Sequence, residues 1–296
     1  MKIKDHFLSQ EIFEIKETSI KGILKTYPVP ENIGKYYESD KYISHHQDSG
    51  SLKEFVYKFI QSFNIKYKAK IVRENLSSPN SKDCKILDYG CGAGEFIKSL
   101  ENKYITYGYE PNEKARNFAK KKSSKTKFID SLNEIEDNTL DIISLWHVFE
   151  HIENHKEILD LFKQKLKPNG TLIIAVPNYK SYDAERYQDF WAAYDVPRHL
   201  FHFSREGMET LMQQEQLKIK KITPLLLDAF YISILSEKYK KNKLFWLFGG
   251  IYGAISNFKA LKTGDFSSLI YIVKKNRKWI FTLFIKVIFL PFFGLV

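Results

Sequence analysis

The chain has 296 residues and a formal net charge of +11, a size that allows one large domain or one domain with a small appendage. Its two cysteines, Cys84 and Cys91, lie seven residues apart across an extended stretch, which excludes a disulfide scaffold and fits a reducing cytoplasm. Aromatic residues, at 15%, suggest large apolar pockets or interfaces, and Met1–Asp5 has charges but no apolar h-region, so no secretory signal is expected.

Residues 1–50 read as irregular, with Tyr27-Pro28-Val29-Pro30 as a stiff extended piece. Within them, 36–46 is crowded with hydrogen-bonding aromatic side chains. Over 51–76, Leu52, Phe55, Val56, Phe59, Ile60 and Phe63 fall on one helical face. Ser77–Ser81 is a turn-rich linker.

Lys85–Tyr89 then reads as a buried strand that runs into Gly90, Gly92 and Gly94 at alternate positions and on into an amphipathic helix. Glycines there let the backbone turn tightly and approach a ligand, and the helix directs unpaired N–H groups at the same spot. The spacing is G-x-G-x-G, not the dinucleotide G-x-G-x-x-G. Asp88, two residues before the first glycine, would repel a pyrophosphate. It would suit a ligand that carries an ammonium and a sulfonium. The strand Tyr104–Tyr109 ends in Glu110-Pro111-Asn112, about twenty positions on, where a carboxylate grips a ribose diol. Thr126–Ile129 ends at Asp130-Ser131-Leu132, and Asp130 would accept an adenine amine. Leu140–Trp146 ends at His147-Val148-Phe149-Glu150-His151. Open α/β sheets bind ligands at such strand ends.

On these residues the chain resembles the class I S-adenosylmethionine (SAM)-dependent methyltransferases. The matching stretches are ILDYGCGAGEF (86–96), GYEPN (108–112), FIDSL (128–132), DIISLWHVFEHI (141–152) and LKPNGTLIIAVPN (166–178). The resemblance covers roughly 85–225 and implies SAM as cofactor and S-adenosylhomocysteine as product. It implies a cofactor site of Asp88, Gly90, Cys91, Gly92, Gly94, Glu110, Pro111, Asp130, Ser131, Leu132, Trp146 and His147. It also implies an N-terminal lid, in which Tyr42 and His46 meet the methionyl carboxylate; the alternative is that these aromatics pack a surface helix.

The expected fold is α/β: a doubly wound, Rossmann-like, seven-stranded sheet with its last strand antiparallel and helices on both faces. Asn154–Leu166 is the helix before the fifth strand, stopped by Pro168-Asn169-Gly170. Leu217–Leu227 is the sixth strand and Ser267–Lys275 the seventh. The expected units are a lid with helices (1–80), the SAM-binding core (81–228), an apolar helical insertion (229–266), the last strand (267–275) and an apolar tail (276–296).

A sulfonium is already activated, so the protein mainly aligns nucleophile and methyl, and a hydroxyl nucleophile benefits from a base. His151 is one candidate base. H-x-x-E-H also reads as a metalloprotease motif, but the run begins at a strand end. It more closely resembles the E-x-x-E-H run of ubiquinone-type O-methyltransferases. His147 replaces the first Glu, so no metal is expected. In the plainer alternative, His147 covers the adenosine and Glu150 caps the next helix.

Residues 190–204 resemble the W…DxPRHLxHFS segment of bacterial relatives of that group. Trp191, Tyr194 and Arg198 would line the acceptor site, Arg198 binding an anionic acceptor, and His199 would take the proton. Alternatively, the segment is structural, with Ser204 capping the helix 205–215.

Lysines cluster at 120–122, 238–243 and 274–278. Solvated faces, an anionic membrane surface or nucleic acid would each explain them, but no nucleic-acid module appears. Trp279–Val296 is eighteen residues with one charge, Lys286, and a proline. An interfacial anchor suits it better than a span; packing against 229–262 or a second subunit is the alternative. Together the residues point to O-methylation of an apolar or lipid-linked acceptor, in the cytoplasm or at the inner membrane face. A methyltransferase of a soluble sugar or small metabolite, a SAM-binding scaffold and a dinucleotide oxidoreductase remain open.

Overall fold

The computed structural model describes residues 1–37 and 52–276, with side chains from residue 61 onward in the second stretch. Tyr42, His46 and residues 277–296 lie outside the described residues.

The core is a seven-stranded sheet built from β4 (Lys85–Tyr89), β5 (Ile105–Tyr109), β6 (Lys127–Ile129), β7 (Leu140–Trp146), β8 (Leu166–Pro177), β10 (Leu217–Pro224) and β11 (Ser268–Lys275). The order is β10-β11-β8-β7-β4-β5-β6. The strands from β8 to β6 pair in parallel, whereas β11 pairs antiparallel with both neighbours. This is the expected doubly wound arrangement. Central strands are apolar on both faces because both faces are covered. Leu87, Ile143 and Ile174 pack toward α4 (His155–Lys165) and α6 (Arg205–Gln214). Their neighbours Ile86, Ile142 and Ile173 pack toward α1 (Leu52–Asn75) and α2 (Glu95–Leu100). The remaining helices are α3 (Glu113–Lys122), α5 (Tyr182–Tyr187), α7 (Leu226–Tyr239) and α8 (Phe245–Thr263). The last two form a hairpin between β10 and β11. It starts a few residues earlier than the expected 229.

Two elements differ from the sequence reading. Strand β8 already begins at Leu166, and Lys167–Gly170 bulge between the pairs Leu140↔Leu166 and Ile142↔Thr171. Pro168 is tolerated there because a bulge needs no ladder N–H from it. Residues 1–27 are also not irregular. They form β1 (Lys2–Lys4), β2 (Ile12–Glu17) and β3 (Ile23–Tyr27), an antiparallel sheet completed by β9 (Phe201–Phe203). The strands are short, and their partner β9 comes from far along the chain, so no local period reveals them.

One ion cluster ties the chain after β1 to the segment that leads into β9. Arg198 is 1% exposed, and its Nη2 donates to Asp5 Oδ1 at 2.9 Å and to Asp195 Oδ1 at 2.7 Å. Nε donates to Asp195, and Asp5 also accepts from the backbone N–H groups of Phe7, Leu8 and Ser9. Removing one member leaves buried charge only partly compensated. Asp5→Ala is expected to lower stability by about 3 kcal/mol, read as a shift of the urea midpoint at unchanged slope. An unshifted midpoint would show that the cluster is not what holds the small sheet.

Candidate functional site

The site lies at the carboxyl ends of β4, β5 and β7. The backbone N–H groups of Gly90 and Cys91 both donate to the Tyr109 carbonyl, which fixes the turn after β4 against the end of β5. Gly90 (φ +80°) has to be glycine, because a Cβ would lie 2.4 Å from the Val148 side chain. Gly92 (φ +53°) differs, since a Cβ there would meet nothing within 4 Å. Its open side leaves a cradle for a ligand. Gly92 N–H donates to Glu110 Oε2 at 2.8 Å, and Asn112 N–H donates to Oε1. The carboxylate is thus held at the mouth of the turn with lone pairs to spare. Cys91 is buried, and burial pushes its thiol pKa up.

Asp88 is 3% exposed and accepts from Ser144 Oγ at 2.8 Å. Burial raises its pKa to about 7, against the pull of Ser144 and Lys68. A buried carboxyl in that state gains from a cationic ligand, which fits the ammonium of SAM. Lys68, on α1, is the nearby cation. Its amine sits 4.9 Å from the centre of the Trp146 ring and interacts with both Asp88 and Asp228. Burial lowers its pKa. At the far side, Asp130 is exposed, 3.7 Å from Arg116. Ser131 caps the short turn 132–134, and Leu132 is buried in the core. Pro111 is exposed beside Glu110.

His147 follows β7 with φ +57°. Its Nε2 lies 2.8 Å from Asp228 Oδ2 and its Nδ1 3.5 Å from Glu150 Oε1. Burial disfavours the charge, but the two carboxylates outweigh it and raise the pKa to about 9. Both nitrogens are therefore engaged by protein.

Glu150 is 1% exposed, and among the described residues neither carboxylate oxygen has a hydrogen-bond partner. Burial would raise its pKa, yet the surrounding imidazoles hold it at about 2. Glu150 therefore does not cap a helix through its side chain; Asn154 caps α4. His199 Nε2 is 3.9 Å from Glu150, and the His151 and His199 rings pack edge to face at 4.7 Å. His199 Nδ1 is 2.8 Å from the Ala193 carbonyl and His151 Nδ1 2.8 Å from the Arg198 carbonyl. The Tyr37 hydroxyl also lies 2.9 Å from His151 Nδ1. A carbonyl only accepts, so His199 Nδ1 carries a proton, and in the neutral ring Nε2 keeps its lone pair. Burial, with the neighbouring His151, lowers the His199 pKa to about 4, so the ring is neutral at pH 7. Glu150, His151 and His199 offer ligand atoms within 4.8 Å of one another, a donor set of a kind that suits a divalent ion.

Three expected acceptor contacts are corrected. Arg198 spends its guanidinium on Asp5 and Asp195 and cannot reach an acceptor. Trp191 is 2% exposed and its indole donates to Asp183. Tyr194 is 5% exposed, packed between Trp191 and His202. The sequence reading missed Lys68 and Asp228, which come from helices outside the motif run. Only their positions in space reveal them.

A family model described as a methyltransferase domain matches residues 60–222, more than half of the chain. A ubiquinone/menaquinone biosynthesis C-methyltransferase of Campylobacter jejuni is 25% identical over 122 residues, 38% of this chain and 52% of that protein. A ubiquinone biosynthesis O-methyltransferase of Rickettsia canadensis is 33% identical over 101 residues, 32% of this chain and 43% of that protein. The chain thus spans about half the length of the curated relatives it matches. Among solved structures, mycolic acid cyclopropane synthase complexed with SAH and CTAB is similar in fold. Its TM-score is 0.50 at 12% identity, covering 71% of this chain and 83% of that one.

Asp88 sets a pH dependence. The unfolded chain releases this proton near pH 4, and the folded one near pH 7. The folded carboxylate is therefore penalised, and its stability contribution falls as pH rises from about 4 to 7. A cationic ligand binds the ionised form, so its affinity falls as pH drops below about 7. Calorimetry from pH 8 to pH 6 is expected to show SAM affinity fall by about tenfold over the range, and Asp88→Asn to flatten that slope. Equal slopes in both proteins would exclude Asp88 as the titrating group.

Proposed function

This chain belongs to the methyltransferase-domain family, and from that membership we propose that it is a SAM-dependent enzyme that methylates an oxygen of an apolar or lipid-linked acceptor at a membrane face. SAM, when bound, supplies a methyl carbon activated by the adjacent sulfonium. The Gly90–Gly94 turn cradles it, Glu110 accepts from the ribose hydroxyls, and Asp88 meets the ammonium. Asp130 lies on the adenine side. Lys68 is the described cation placed to meet the methionyl carboxylate; Tyr42 and His46 remain proposed for the same group.

The observation that carries the oxygen assignment is the pair of imidazoles beside Glu150. An alcohol or phenol must lose a proton as it attacks, and a neutral imidazole nitrogen takes it. His199 is neutral and offers its Nε2, His151 packs against it, and the buried Glu150 carboxylate stabilises the imidazolium that forms. The proton passes from the acceptor hydroxyl to that Nε2 and later to solvent. The half-exposed His151 is the better placed of the two to meet an acceptor directly, since His199 is 9% exposed. The membrane-face part rests on the apolar run 279–296 and the lysines before it. Among the described residues no helix is long and apolar enough to cross a membrane.

Glu110→Ala should weaken SAM binding by roughly 1.5–3 kcal/mol, the scale of hydrogen bonds to a charged group. Calorimetry at wild-type affinity would remove Glu110 from the site. His151→Ala or His199→Ala should cut turnover by about a hundredfold or more with SAM affinity nearly intact. The function itself is tested by transfer of labelled methyl from SAM to quinol-type phenols and to lipid extracts. Full turnover in both histidine variants would leave positioning alone to explain catalysis.

A further inference from the structure

Helix α8 is built inside out. Its buried residues are the small ones, Gly249, Gly253, Ser256 and Ala260. A Cβ on Gly249 would fall 2.4 Å from the Ile234 Cα, and one on Gly253 2.7 Å from the Phe230 Cα. The two helices of the hairpin therefore touch backbone to backbone. The bulky residues face outward: Leu247 is 56% exposed, Ile251 44%, Phe258 75% and Leu261 74%. Their spacing of four, seven and three residues keeps them on one stripe. At the start of the helix, Leu244 and Trp246 are 58% and 53% exposed. A surface helix normally turns such residues toward the core, and a contiguous exposed patch marks an interaction surface.

The exposed charges of the hairpin itself have one sign. Residues 226–263 contain two acids, Asp228 and Glu237, and both are turned inward: Asp228 to His147, and the buried Glu237 to Asn242. Their six lysines, Lys238, Lys240, Lys241, Lys243, Lys259 and Lys262, are all exposed. An apolar stripe on a hairpin whose exposed charges are all cations, with a tryptophan at one end, matches the surface of an anionic lipid layer. A second copy of the chain fits worse, because a two-fold contact through this face would set lysines against lysines. The tail 277–296 carries no acid to offset them. Nor does α8 meet the length and apolarity of a membrane span, so its stripe suits a helix lying in the plane of the interface.

We propose that the α7–α8 hairpin is a docking surface for anionic lipid, with α8 lying along the membrane and its apolar stripe facing the acyl boundary. The inference deepens the membrane-face reading of the function, but its readout is vesicle binding, which does not depend on methyl transfer. Asp228 sits in the first turn of α7, so the docked element is also the one that touches the site.

The test is co-sedimentation of the full chain with phosphatidylglycerol–phosphatidylcholine vesicles, against pure phosphatidylcholine. Retention is expected on the anionic vesicles and should fall with salt. The double variant Leu247→Glu/Phe258→Glu should lose at least tenfold in vesicle affinity while binding SAM as the wild type does, which shows that the fold is intact. A tail variant, Phe284→Glu/Phe289→Glu, should keep salt-sensitive binding. Wild-type retention of the hairpin variant, or no retention of the wild type, overturns the proposal. So does a wild-type dimer that the hairpin variant converts to monomer, because the stripe then belongs to a second copy. If vesicles bind but no lipid-borne acceptor is methylated, docking stands and the acceptor reading fails.

Discussion

A charged imidazole between the buried Glu150 and the half-buried Asp228 holds the carboxyl end of the sheet together. His147 ends β7, Asp228 starts the helical hairpin, and Glu150 closes the next turn. Each acid alone would be costly to bury, and His147 alone would lose its proton. Together they keep all three charges, with His147 raised to about 9 and Glu150 held at about 2. The left-handed backbone at His147 is part of the same arrangement, because it turns the ring back between its two partners. Glu150 in turn faces the His199 imidazole, which packs against that of His151. The clamp thus joins three parts of the molecule: core sheet, hairpin and histidine pair.

The small N-terminal sheet matters for the same reason. Its last strand comes from 201–203, and Thr26 bonds to the backbone of both His199 and Leu200. Leu200 N–H also donates to the Glu150 carbonyl. His199 is therefore positioned from two sides, by β3 and by the turn after β7. Arg198 serves that positioning. Its guanidinium is satisfied by Asp5 and Asp195, and that is why it cannot also recognise an acceptor. A buried arginine with two carboxylates has no remaining drive to bind a third anion.

The hairpin has two unlike faces. Its inward side carries Asp228 to the site, and the glycines of α8 press against α7, so the two helices form one packed pair. Its outward face is apolar and cationic. The same element therefore carries an exposed apolar face and a carboxylate on the clamp.

Residues 85–178 made the parallel sheet legible, because each strand is a short apolar run and each ends in polar groups. Asp88, Glu110 and the glycine turn could be placed for the same reason: strand ends lie next to each other whenever the sheet forms. The antiparallel last strand, Ser268–Lys275, was also readable as a final apolar run. What the sequence could not decide depends on partners far along the chain. The strands within 1–27 pair with one another and with a three-residue strand near 201, and nothing local marks them. Lys68 and Asp228 join the site only because α1 and α7 pack across the strand ends. The roles of Arg198, Trp191 and Tyr194 reversed for a related reason. A polar or aromatic side chain in a motif looks the same whether it faces a ligand or a buried carboxylate, and only the tertiary structure places Asp5 beside Arg198 and the indole of Trp191 on Asp183.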